Sequence, residues 1–179
     1  MIREFSVRPV AKNQNARTLF FALLGSAAVA VVASYFLSSY KGIVQLGALI
    51  LLVAAVTIYT RYVGAFYTYE VATDGEGTPV FVVNQTSGKR RTALCRLDLA
   101  DIVDIKALTS ADYRTYKPEA GIKRYNYMPT LGPTEMHLMK VRSVRESADV
   151  FLELSEEYKT LLLSYAAEAR SLRVAEAEE

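Results

Sequence analysis

The chain has 179 residues, 51% hydrophobic and 22% charged, with a formal net charge of +2; that length allows one compact domain plus a further, apolar part. Its single cysteine, Cys95, excludes an intrachain disulfide and a multi-cysteine metal site and fits a reducing compartment. Residues 1–61 carry six Lys/Arg and one Glu, whereas residues 62–179 carry fifteen Lys/Arg and eighteen Asp/Glu, so the basic balance belongs to the first third and the remainder lacks the excess of cations that a nucleic-acid partner requires.

Residues 1–17 form a basic leader containing Arg3, Arg8, Lys12 and Arg17. From Thr18 to Tyr40 and again from Gly42 to Thr60 no Asp, Glu, Lys, Arg or His appears. Each run has about the 20 residues a helix needs to cross a hydrocarbon core of about 30 Å, and two such helices in so small a chain would leave little to cover them. A transmembrane hairpin is therefore expected over 18–61, with helices at about 18–38 and 42–61. The leader followed by Ala28-Val29-Ala30 also has the form of a cleavable signal, but the small-x-small site falls inside the first run, which favours an uncleaved helix. Gly25, Ser26, Ala27, Ala30, Ala33 and Ser34 in the first run, and Gly47, Ala48, Ala54 and Ala55 in the second, permit close backbone approach.

Lys41 is the one ionisable residue between Arg17 and Arg61. Orientation follows the Lys and Arg near the membrane ends; four precede the first run and Arg61 follows the second, against Lys41 alone in the connecting turn. Both termini are thus expected in the cytosol and the SSYKG turn outside, with Lys41 snorkelling to headgroups and Tyr35, Tyr40, Tyr59, Tyr62, Phe66 and Tyr67 as interfacial aromatics.

Beyond the membrane the period falls to two, and a cytoplasmic domain is expected over 62–175, with a frayed tail at 176–179. Tyr67, Tyr69 and Val71 start a strand, Asp74-Gly75-Glu76-Gly77 turns it, and strands follow at 79–84 and 90–97 around Gln85-Thr86-Ser87-Gly88. A fourth strand at 101–108 has Val103, Ile105 and Ala107 on one face. Residues 109–135 are irregular, broken by Pro118, Gly121, Pro129, Gly132 and Pro133, with one short strand at about 122–128. Strands at 136–142 and 149–154 bring the count to seven. Ser155 then caps a helix of about 156–173 whose Tyr158, Leu161, Leu162, Tyr165, Ala169 and Leu172 form one apolar stripe.

Carried by ALCRLDLADIVDIKAL and by the ending DVFLELSEEYKTLLLSYAAEA, this order resembles that of the pleckstrin-homology superfold, here as a bacterial pleckstrin-homology-like domain fused to a two-helix membrane anchor. The resemblance implies an α+β membrane protein in which a seven-stranded β-barrel or sandwich is closed by the C-terminal helix. Members that bind phosphoinositides place basic residues in the first hairpin loop; Asp74-Gly75-Glu76-Gly77 departs from that pattern. Lys89, Arg90 and Arg91 at the second hairpin are the candidate contact for an anionic leaflet.

A catalytic constellation is not found. His137, the only histidine, alternates with Met139 and Val141 and reads as structural; Cys95 shares a strand face with Ala93 and Leu97 and reads as a small buried hydrophobe. Asp98, Asp101 and Asp104 would converge on a helix but diverge in a turn and strand, and Thr86-Ser87-Gly88-Lys89 lacks the rest of a phosphate loop. No cofactor and no metal are expected. Tyr113, Tyr116, Tyr125 and Tyr127 cluster in the irregular segment beside Arg114, Lys117, Lys123 and Arg124, a composition suited to a contact surface. The expectation is a non-catalytic, membrane-held module that binds a protein or peptide through this segment, with an anionic-lipid sensor as the alternative and an enzyme with an unrecognised site last.

Overall fold

The computed structural model describes residues 4–9, 13–75, 77–144 and 146–178. Arg3 and Lys12 of the basic leader, Glu76 of the first turn and Glu179 of the tail lie outside the described residues. The chain divides into two compact units, Ala11–Phe66 with Pro129–Leu131, and Met1–Val10 with Tyr67–Met128 and Gly132–Glu179.

The first unit is an antiparallel pair of helices. Helix α1 spans Gln14–Phe36 and α2 Lys41–Ile58, joined by a 3₁₀ turn at Ser38–Tyr40; α2 continues into a π-helical turn, Tyr59–Val63. Both spans, 23 residues each, are long and apolar enough to cross a membrane. At 1.5 Å per residue each measures about 34 Å. Ala16, Ala27 and Ser34 of α1 and Ala48 and Ala55 of α2 are buried, while Phe20 packs on Tyr59 with ring centroids 5.2 Å apart. Small residues at the contact let the two backbones approach closely. Asn13 stands at the N-cap of α1 but makes no side-chain bond to its own helix. Its Nδ2 donates to the carbonyls of Tyr62 (2.9 Å) and Pro129 (2.6 Å), and its Oδ1 accepts from the Leu131 amide (3.0 Å). One amide side chain thereby ties both ends of the hairpin to the tripeptide Pro129–Leu131.

Among the described residues the second unit is a β domain of eight strands in two four-stranded sheets: β1 Phe5–Val7, β2 Ala65–Thr73, β3 Pro79–Ser87, β4 Arg90–Asp98, β5 Ile102–Leu108, β6 Lys123–Asn126, β7 Met136–Arg142 and β8 Ser147–Glu153. The sheet orders are β1-β2-β3-β4 and β5-β7-β8-β6. The expectation of seven strands and of a barrel is corrected here: the sheets stay open, and the eighth strand is β1, which precedes the helices in sequence and pairs antiparallel with β2 from Phe5↔Val71 to Val7↔Tyr69. Three apolar-polar-apolar residues are too few to register as a strand without their partner. Nor is the pairing all antiparallel, since β6 runs parallel to β8.

Two bulges reset the strand faces. Val83 pairs with Cys95 and Asn84 with Ala93, leaving Leu94 as the extra residue; Ile102 pairs with Val141 and Asp104 with Lys140, leaving Val103 extra. Each extra residue flips the alternation beyond it. Val103 is therefore half exposed while Ile102 and Ile105 are buried, which corrects the single face assigned to Val103, Ile105 and Ala107. Ala93 likewise parts from Cys95 and is exposed.

The expected irregular segment contains a short helix, α3 Ser110–Thr115, started by a capping box in which Thr109 and Asp112 exchange side-chain and backbone bonds. Helix α4, Glu156–Glu178, runs beyond its expected end and through 176–178. Tyr158, Leu162, Ala166 and Ala169 are its buried positions, and Phe5 of β1 stacks on Tyr158 with centroids 5.4 Å apart.

Candidate functional site

The β domain carries an open groove of about 340 Å³ lined by Leu94, Cys95, Arg96, Leu97 and Asp98 of β4, by Asp101, by Tyr125 and Tyr127, and by Val141, Ser143, Glu146 and Ala148. Successive side chains of a strand point to opposite faces, so five consecutive lining residues mean that the groove runs along the edge of β4. That edge is the last of its sheet. Across the groove Tyr125 and Tyr127, two residues apart and therefore on one side of the chain, stack with ring planes 5° apart and centroids at 6.1 Å.

Electrostatics and hydrogen bonds fix this wall. The Tyr125 hydroxyl donates to Glu146 Oε1 at 3.0 Å and Lys123 Nζ stands 3.3 Å from the same oxygen. Together they hold the Glu146 carboxyl below the usual range, Tyr125 contributing most. The Tyr127 hydroxyl reaches the carbonyl of the bulged Leu94 at 3.4 Å. Burial pushes the Cys95 thiol up to about 11, only partly offset by its hydrogen bond with Tyr127; the thiolate that nucleophilic chemistry needs is scarce at neutral pH. At the far end one guanidinium, that of Arg173 on α4, engages both Asp98 and Asp101, its Nη1 lying 2.8 Å from Asp101 Oδ1. The expected divergence of the three aspartates is corrected in part: Asp98 and Asp101 meet at Arg173, and Asp104 points elsewhere, 3.4 Å from Lys106 Nζ.

The four candidate tyrosines separate into two pairs. Tyr113 and Tyr116 pack edge-on against Phe151, with centroids at 5.0 and 5.4 Å, on a core of Met128, Met136, Leu138 and Phe151. Arg124 lies over the Tyr113 and Phe151 rings at 4.9 and 4.6 Å. The Tyr116 hydroxyl donates to Asp149, which is buried and also accepts from Arg142 Nη1 at 3.0 Å. Burial, reinforced by Asp149, pushes Tyr116 up to about 12. Asp149, which holds Tyr116, and Glu146, which holds Tyr125, carry no sequence signal beyond being acidic; Thr109-x-x-Asp112, which starts α3 with Tyr113 on it and Tyr116 at its C-cap, is a readable capping pattern.

Of the basic trio, Arg91 is paired with Glu70, itself held by Asn84 at 2.8 Å, and Lys89 and Arg90 stand exposed at the turn formed by Gly88, whose φ of +58° suits glycine. His137 is buried in β7 with Nε2 3.1 Å from Glu156 Oε1, and its Nδ1 meets no partner among the described residues. Among the described residues no three His, Cys, Asp or Glu side chains converge as metal ligands would. No protein-family model matches the chain, and neither a curated protein nor a solved structure matches it.

Proposed function

We propose that this chain is a non-catalytic, membrane-anchored interaction module. In this reading α1 and α2 cross the bilayer, both termini lie in the cytosol, and the β domain takes up a segment of a partner protein along the Tyr125–Tyr127 groove. The observation that carries it is that groove, lined by apolar, aromatic and charged side chains beside a terminal strand edge. The anchor is supported by two spans whose large side chains face outward. Orientation is supported by the Lys/Arg bias and by the pairing of β1 with β2, which flank the hairpin in sequence and belong on one side of a membrane. The pleckstrin-homology-like likeness belongs to the same reading. A first sheet built as a meander and a C-terminal helix support it, whereas β1 and the parallel β6 depart from that pattern.

The test separates the two tyrosine pairs. With cross-linking in native membranes, Tyr125→Ala and Tyr127→Ala lower the yield of partner severalfold while the melting temperature of the β domain holds. Tyr116→Ala, which strips a ring from Phe151 and a donor from Asp149, lowers the melt instead. Partner yields unchanged in both groove variants, or a substrate turned over and lost on His137→Ala, would overturn the proposal.

A second reading, contact with an anionic leaflet, is favoured by Lys89 and Arg90 alone, since neither enters an ion pair within the described residues and Arg91 is occupied by Glu70. Two cations contribute about 1 kcal/mol each near such a surface. Flotation of the β domain with anionic vesicles, abolished by Lys89→Glu with Arg90→Glu, is the result that supports it.

A further inference from the structure

We infer that the groove along β4 binds an extended, cationic peptide segment; the inference rests on the interaction-module reading and names the ligand class of that same site. Three observations converge on it. The edge of β4 over Leu94–Asp98 borders the groove as a terminal strand, and such an edge pairs with an incoming extended backbone, whose alternate side chains then meet the walls. Leu94 and Leu97 of β4 line one side, and the stacked rings of Tyr125 and Tyr127, with Val141 and Ala148 from the sheet that holds Tyr125, line the other; an aromatic face attracts a guanidinium or ammonium.

Charge supplies the third observation. Glu146 is matched by Lys123 and Arg96 by Asp74. Asp98 and Asp101 share the single guanidinium of Arg173. Among the described residues one carboxylate is thus left over, at the end of the groove where β4 passes into the 3₁₀ turn Leu99–Asp101. A Lys or Arg of the peptide placed there completes a two-cation, two-carboxylate arrangement, whereas a Glu faces an uncompensated charge; like-charge repulsion at such a site decides between partners.

The experiment uses the full chain in discs of neutral phosphatidylcholine, so that no lipid charge competes. The probes are fluorescent decapeptides of alternating Lys and Val, of alternating Glu and Val, and of Lys and Val with every second amide N-methylated. The Lys peptide is expected to bind saturably and more weakly as salt rises. The Glu peptide and the N-methylated peptide are each expected to bind at least about tenfold more weakly, one for its charge and the other for its lost strand bonds. Asp101→Asn, which removes the surplus carboxylate, lowers affinity for the Lys peptide about three- to tenfold, and Arg173→Gln, which enlarges the surplus, raises it by a similar factor. A folding defect cannot move two variants in opposite directions. Equal binding of the Glu peptide, equal binding of the N-methylated peptide, or failure of the two variants to move oppositely overturns the inference. If the Lys peptide fails while Tyr127-dependent cross-linking persists, the cationic assignment falls alone; if both fail, the module reading falls with it.

Discussion

In the helical unit the buried residues are small, Ala16, Ala27, Ser34, Ala48 and Ala55, and large side chains such as Phe21, Val29, Phe36, Ile43 and Leu46 face outward. In the β domain the fully buried side chains are large, Tyr69, Phe81, Phe151, Leu99 and Ile102 among them. Under the proposed anchoring, the difference reflects the medium of each unit, bilayer for the helices and water for the β domain. Removing apolar surface from water drives the β domain to hide its bulk. Between helices already in hydrocarbon that drive is absent, so close packing of small residues and a few polar bonds must hold them. Asn13 and its three partners are such bonds, at the open end of the hairpin.

The comparison breaks first at its largest expected effect. Phe151 is fully buried beneath Tyr113, Tyr116 and Arg124, so Phe151→Ala is expected to cost about 3–5 kcal/mol. Phe21, exposed on α1, is expected to cost within about 0.5 kcal/mol as Phe21→Ala. Thermal unfolding of the full chain in detergent measures both. Equal losses would mean that the helices pack as a soluble core does. Asn13→Ala comes next, at about 0.5–1.5 kcal/mol for each bond lost. Its signature is local: faster amide exchange at Leu131 and at the start of α1, with the exchange of β7 and β8 unchanged. Loss of protection throughout β7 instead would show that Asn13 supports the β domain and not the hairpin alone.

Continuous apolar runs made both helices legible in sequence, and alternation located seven of the eight strands within a few residues. Alternation fails where a bulge adds a residue. Leu94 and Val103 each shift the inward face by one, and nothing in LCRL or IVDI marks the shift, because a bulge is chosen by how two strands fit. β1 was hidden for a related reason, since FSV becomes a strand only on meeting Val71, Glu70 and Tyr69, more than sixty residues on. The tyrosine cluster was visible as composition. Its division was not: Tyr113 on α3 and Tyr116 at the C-cap of α3 pack on Phe151, and the groove beside Tyr125 and Tyr127 needs the β4 edge, which comes from the other sheet.

The smallest perturbation compares one thiol from each region. Ser39, exposed in the turn between the helices, can be made Ser39→Cys, and Cys95 serves as it stands. In intact cells an impermeant maleimide is expected to label Ser39→Cys and spare Cys95; the opposite pattern would reverse the proposed orientation. After permeabilisation the two thiols differ by chemistry instead of by side. Burial raises the Cys95 thiol from 9.0 to about 11, so the neutral form is favoured in the folded chain. The stability this contributes is complete below pH 9 and is lost as pH rises through 11. Two pH units correspond to about a hundredfold less thiolate at pH 8, and alkylation of Cys95 should be slower than that of Ser39→Cys by about that factor, the gap closing as the pH approaches 11. Comparable rates at pH 8 would mean that Cys95 is solvated as freely as the turn, and the β4 wall of the groove would then not be packed as described.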